Sequence, residues 1–139
     1  MTAVKPILRL VALLVLLSPV LAAQDSPQFR GPNRDGIFPE TGLMKSWPEG
    51  GPKLLWTADG LGLGYASVSV AGDKLYVTGR NADNDGVFYA LDNAGAILWS
   101  YTYGPETSAG QGPGTRSTPT VEEDRAYILS GPGVLHCMD

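Results

Sequence analysis

The densest set of oxygen ligands in the chain is Asn81-x-Asp83-x-Asp85-Gly86, with Asp92 in the twelfth place. Oxygen donors at alternating positions can converge on one hard cation, and the spacing fits a loosely written calcium loop. Loops of that kind are flanked by helices. Here residues 87–91 read as a strand and Asp92 sits in a turn, so a solvated hairpin turn accounts better for the pattern. No metal ligand is assigned.

Other candidates reduce in the same way. Gly60-x-Gly62-x-Gly64 and Gly110-x-Gly112-Pro113-Gly114 have the glycine density of phosphate-cradling loops. Neither lies between a strand and a helix, which the nucleotide motifs require. They read as crossings between sheets that need unusual backbone angles. His136 and Cys137 are strand neighbours, so their side chains point to opposite faces and make a poor catalytic pair. His136 is expected as a packed or rim residue. One histidine supports no triad. Glu122-Glu123-Asp124 reads as a solvated hairpin tip. No catalytic residue is assigned, and no cofactor-binding residue is identified.

The elements that would carry these residues are strands. Past residue 23 no long segment has a 3.6-residue apolar period. Short β-rich runs occupy 66–70, 74–78, 87–91 and 96–101, separated by turns at 71–73, 81–86 and 92–95. That is a four-stranded antiparallel meander. The order then recurs. Ser67-Val68-Ser69-Val70, Asp73-Lys74 and Tyr76-Val77 match Thr118-Pro119-Thr120-Val121, Asp124-Arg125 and Tyr127-Ile128 at an offset of 51. Ala90-Leu91-Asp92 matches Cys137-Met138-Asp139 at 47, and Leu55-Trp56 matches Leu98-Trp99 at 43. The unequal offsets predict an insertion at 103–115 and a shortening within the 81–86 turn, because loops absorb length changes.

A four-strand unit recurring at 40–50 residues is the signature of a β-propeller blade. A single twisted sheet cannot bury both faces, whereas sheets around an axis cover one another. Tyr76, Tyr127, Trp56 and Trp99 are predicted at those sheet-to-sheet contacts. Pro119 in a strand run implies a sheet edge. Residues 54–57 read as an outermost strand without a sheet of its own. The fold class is therefore all-β, with antiparallel four-stranded blades of a β-propeller and about one and three-quarter blades present. A ring needs at least four, so a longer protein is expected, of which this is an N-terminal part.

The pattern Ala90-x-Asp92, Gly95, Trp99 resembles the repeat of pyrroloquinoline-quinone (PQQ) propellers, usually Ala-x-Asp, Thr-Gly-Lys and Trp. Here the turn is one residue shorter, and Ala94 and Ala96 replace Thr and Lys. Pro27-Gln28-Phe29-Arg30-Gly31-Pro32 resembles the opening of an exported bacterial group of PQQ-like repeat proteins, with Ser26 where that group usually has Trp. Leu54-Leu55-Trp56 and Arg116-Ser117-Thr118-Pro119-Thr120-Val121 fit the same group. The resemblance covers nearly all of the chain after the leader. It implies a propeller in which the Trp docks one blade on the next. Some members are dehydrogenases using PQQ and calcium, with an adjacent cysteine pair and an acidic calcium site. Others are noncatalytic, such as the propeller lipoprotein of the outer-membrane assembly machinery. Cys137 stands alone in these 139 residues.

Composition narrows the class further. The chain is 43% hydrophobic with 18 Gly and 11 Pro, which favours turns over helix. Its net charge is −4, and a leader carrying Lys5 and Arg9 takes two positive charges with it. An acidic surface is a poor match for phosphate backbones, so no nucleic-acid partner is expected. Residues 1–23 have the pattern of a secretory signal peptide: Lys5 and Arg9, the apolar run 10–17, the break Ser18-Pro19, then Val20-Leu21-Ala22. The run is too short for a membrane span, which needs about 20 residues. Three parts follow: signal peptide 1–23, extended N-terminal segment 24–53 and partial propeller 54–139. The expected protein is exported, periplasmic or extracellular, without a transmembrane span after cleavage. A noncatalytic propeller binding a protein or carbohydrate, or scaffolding an assembly, is the first reading. A PQQ- and calcium-dependent quinoprotein oxidoreductase is the alternative, and a sensor propeller fused to other domains is the third.

Overall fold

Apolar residues crowd the stretch Gly86-Val87-Phe88-Tyr89-Ala90-Leu91 without alternation, the pattern of a strand covered on both faces. The computed structural model, which describes residues 25–107 and 112–139, places that stretch third in a four-stranded sheet. Strands β1 (Ser69–Ala71), β2 (Lys74–Arg80), β3 (Asp85–Asp92) and β4 (Ile97–Pro105) pair in sequence order, all antiparallel. A second sheet follows from β5 (Thr120–Glu122), β6 (Arg125–Leu129) and β7 (Leu135–Met138). The protein is all-β in its described residues.

The two sheets share one register. Ser69 opposes Tyr76 as Thr120 opposes Tyr127, each shifted by 51 residues. Tyr76 opposes Ala90 as Tyr127 opposes Cys137, with the second partner shifted by 47. The difference of four does not lie in the turn, as the sequence predicts. Arg80 pairs with Gly86 and Leu129 with Leu135, so five residues make the connection in both sheets. The second sheet instead lacks two ladder positions from each strand. Turn chemistry explains the conserved length. Asn81 N donates to Asp85 O at 2.8 Å, and Ser130 N donates to Val134 O at 2.9 Å. The Asn81 Oδ1 and Ser130 Oγ caps close the same five-residue frame. Removing two residues from each strand leaves that frame and the strand faces intact, whereas cutting the turn would open it.

The sheets pack face to face. Phe88 and Tyr103 of the first sheet meet Ala126 and Ile128 of the second, with Tyr76, Val121 and Met138 at the margin. Phe88 is fully buried, and its ring lies 5.5 Å from that of Trp99 at 18° and 5.8 Å from Tyr76. Trp99 also lines a cleft with Val121, Ala126 and Met138. Tyr76 therefore stands at the sheet-to-sheet contact, while Trp99 stacks on Phe88 within the first sheet and stays 44% exposed at the cleft. Tyr127 does not: Ala126 and Ile128 face the first sheet, and alternation turns Tyr127 away from it. The far face of the first sheet carries Val87, Tyr89 and Leu91, covered by Ala58 and Leu61.

A bulge places Tyr103. Gly86 opposes Gly104 and Val87 opposes Thr102, leaving Tyr103 as the extra residue. Its ring lies over Gly86 so closely that any side chain there would collide. The expected insertion at 103–115 thus begins inside β4. Residues 54–57 lie outside both sheets, contrary to the expected strand. No described strand offers them a ladder, and Trp56 rests on Gly95 in the β3–β4 turn instead. Pro119 precedes β5 and is fully buried. Of the N-terminal segment, Ser26 exchanges two 2.9 Å hydrogen bonds with Val70, and Pro27 O accepts from Val121 N at 2.8 Å. One dipeptide thus ties β1 and β5 together. The expected signal peptide falls outside the described residues.

Candidate functional site

The acidic loop does not converge. Asn81 Oδ1 accepts from the N–H groups of Asp83 and Asp85 at 3.0 and 2.9 Å. Asp92 Oδ1 accepts from Ala94 and Ala96, each at 2.9 Å. Both oxygens cap turns, and the turns stand at opposite ends of β3. Seven strand steps separate them by about 23 Å. Among the described residues no three His, Cys, Asp or Glu side chains gather at one point.

The glycine stretches meet each other. Gly60 and Gly62 have φ of 78°, Gly112 has 123° and Gly114 117°. Leu63 pairs with Arg80, Gly64 pairs in parallel with Thr115, and Tyr65 N donates to Thr115 O at 2.7 Å. Gly110 falls outside the described residues. Beside this junction three hydroxyls stitch the crossing to the first sheet. Thr115 Oγ1 donates to Thr78 O at 2.9 Å, Thr78 Oγ1 donates to Ser117 O at 3.0 Å, and Ser69 Oγ donates to Pro119 O. Ser69, Thr78 and Thr115 are all buried, and each hydroxyl is satisfied.

A buried carboxylate forms the other stitch. Glu106 Oε2 accepts from the Tyr103 hydroxyl at 2.8 Å. Its Oε1 accepts from Thr107 N at 2.9 Å and from Gly131 N in the β6–β7 turn. Glu106 and Ser130 line a cavity of about 320 Å³ whose rim includes Arg116 and Ser117. Burial, followed by the hydrogen bond and the charge of Glu106, pushes the Tyr103 hydroxyl's ionisation far above its ordinary value. The Tyr103 ring lies 5.0 Å from His136, which makes His136 a packed residue. Cys137 is exposed on the opposite face. Glu123 and Asp124 form the exposed tip of the β5–β6 hairpin, with Asp124 4.0 Å from Arg125.

Sequence reasoning missed Glu106 and Tyr103. Both lie in the stretch without a counterpart in the repeat, so comparing the repeats discards them. A further groove of about 540 Å³ lies on the far face of the first sheet, lined by Leu63, Arg80, Asn81 and Tyr89 among others. The arrangement as a whole holds two sheets together with satisfied polar groups and presents open grooves. No protein family, curated protein or solved structure matches the chain. No helix among the described residues is long and apolar enough to cross a membrane.

Proposed function

We propose that this chain belongs to an exported β-propeller of PQQ-like repeats that acts as a noncatalytic binding or scaffold module. The observation that carries the reading is the shared register of the two sheets, offset by 51 residues at β1–β2 and by 47 at β3. The docking mode supports it too. The second sheet contributes Ala126, Ile128 and Met138, whose counterparts in the first sheet are Leu75, Val77 and Leu91 on its far face. One sheet's near face thus receives the next sheet's far face. Such a relation can be repeated indefinitely around an axis. Partners under this reading are a protein or a carbohydrate. The leader-like residues 1–23 support a periplasmic or extracellular address.

The test is a titration of the full-length gene product, expressed with its leader, against PQQ and calcium. Thermal stabilisation and dye-linked alcohol oxidation are the readouts. A folded protein with neither response is the expected result. Saturable stabilisation with turnover would replace this reading with a quinoprotein oxidoreductase.

A further inference from the structure

The two extra rungs of the β2–β3 ladder create a place that the second sheet does not have. Arg80 ends β2 there, with its backbone N and O bonded to Leu63 at 2.8 and 2.9 Å. Its Nη1 donates to Asn84 Oδ1. Its Nε is buried and has no acceptor. Among the described residues no carboxylate lies within ion-pair distance of Arg80. A guanidinium keeps its charge at any physiological pH, and a half-buried charge without a counter-charge is unfavourable. Beside it in the groove stands Tyr89, whose hydroxyl makes no hydrogen bond to any described residue. Burial raises the ionisation of that hydroxyl, so it stays a proton donor. The groove's 540 Å³ falls within the range of small-molecule sites, roughly 300–1,000 Å³.

We propose that this groove binds a small monocarboxylate, with Arg80 as counter-charge and the Tyr89 hydroxyl as second donor. A planar carboxylate matches the two-pronged edge of a guanidinium. Asp59 and Asp83 adjoin the lining residues Gly60 and Ala82 in sequence, so a dianion such as phosphate meets added repulsion. The carboxylate can belong to a sugar acid or to an acidic side chain. The lining residues belong to the first sheet and to the crossing that precedes it.

The test titrates the full-length protein with glucuronate and with N-acetylaspartate amide, using glucose and inorganic phosphate as controls. Calorimetry and amide chemical shifts are the readouts. At least one carboxylate saturates with shifts at Gly60, Leu63, Arg80 and Asn81, and which one saturates identifies the source. Glucose does not saturate, and phosphate binds at least tenfold more weakly. Arg80→Gln weakens binding at least tenfold and Tyr89→Phe several-fold, while Arg125→Gln on the other sheet has no effect. Failure of both carboxylates, equal binding of glucose, or shifts confined elsewhere overturns the site. If Arg80→Gln does not fold, the contrast between glucuronate and glucose on the wild type, with Tyr89→Phe, still decides.

Discussion

The first sheet is covered on both faces and the second on one. Phe88 in β3 is fully buried, while Leu135, its counterpart in β7 by the 47-residue offset, is 69% exposed. The same strand position therefore carries different energetic weight in the two sheets. What decides is the presence of a neighbouring sheet, since burial is proportional to the area removed from water.

Four measurements sharpen or break that contrast. Denaturant unfolding of Phe88→Ala should show a loss of about 3–5 kcal/mol, as for other buried aromatics. Leu135→Ala should stay within about 0.5 kcal/mol, as for exposed positions. Equal losses would mean that the near face of the second sheet is buried in solution. Next in size is Glu106→Ala, which strands the Gly131 and Thr107 amides and the Tyr103 hydroxyl. It should cost about 2 kcal/mol, in line with unmade buried hydrogen bonds. Hydrogen exchange should then accelerate in the 130–134 turn while β2 and β3 stay protected. Uniform acceleration would show that the sheets do not separate as units.

The hairpin tips give a smaller and opposite pair. Gly72 has φ of 56° and its counterpart Glu123 has 53°. Left-handed backbone costs a non-glycine residue about 1 kcal/mol. Glu123→Gly should therefore raise the unfolding midpoint and Gly72→Ala lower it, each by about 1 kcal/mol. Matching signs would break the equivalence of the two turns. At neutral pH the smallest effect is that of tyrosine ionisation. The folded chain raises the ionisation of Tyr103 and Tyr89, whereas an unfolded tyrosine ionises near its ordinary value of 10.0. The neutral form is favoured by folding, so this stability is complete below pH 10 and is lost as pH rises above it. A pH series of melts should fall above pH 10, and Tyr103→Phe should make the fall shallower. An unchanged slope would place Tyr103 outside the buried contact.

Much of this architecture can be read from the residues alone. Leu75-Tyr76-Val77 and Tyr127-Ile128, bounded by Asp-Lys and Asp-Arg, set the strands and the 51-residue offset, because apolar pattern and turn residues are local signals. The site of the length change was not legible. Loops usually absorb such changes, yet here Asn81 and Ser130 cap turns of one length and the strands absorb it. Residues 54–57 carry a strand-like sequence, but pairing depends on a partner strand that the segment's own sequence cannot supply. Glu106 gives no signal, since a lone glutamate after a strand is most often a solvated residue. Its burial comes from the Tyr103 bulge and from a turn 25 residues away.

The dipeptide Ser26-Pro27 has a consequence for the growing chain. Ser26 can pair with Val70 once β1 exists, but the Pro27 carbonyl must wait for the Val121 amide, 94 residues downstream. Closing so long a loop is entropically costlier than forming any hairpin here, and contacts of high sequence separation form slowly. During synthesis β1 and β2 are made before β5, so the Ser26–Val70 pair can hold Pro27 in place. The N-terminal segment then serves as a template on which the second sheet's first strand lands, so residues made early take part in a contact completed late.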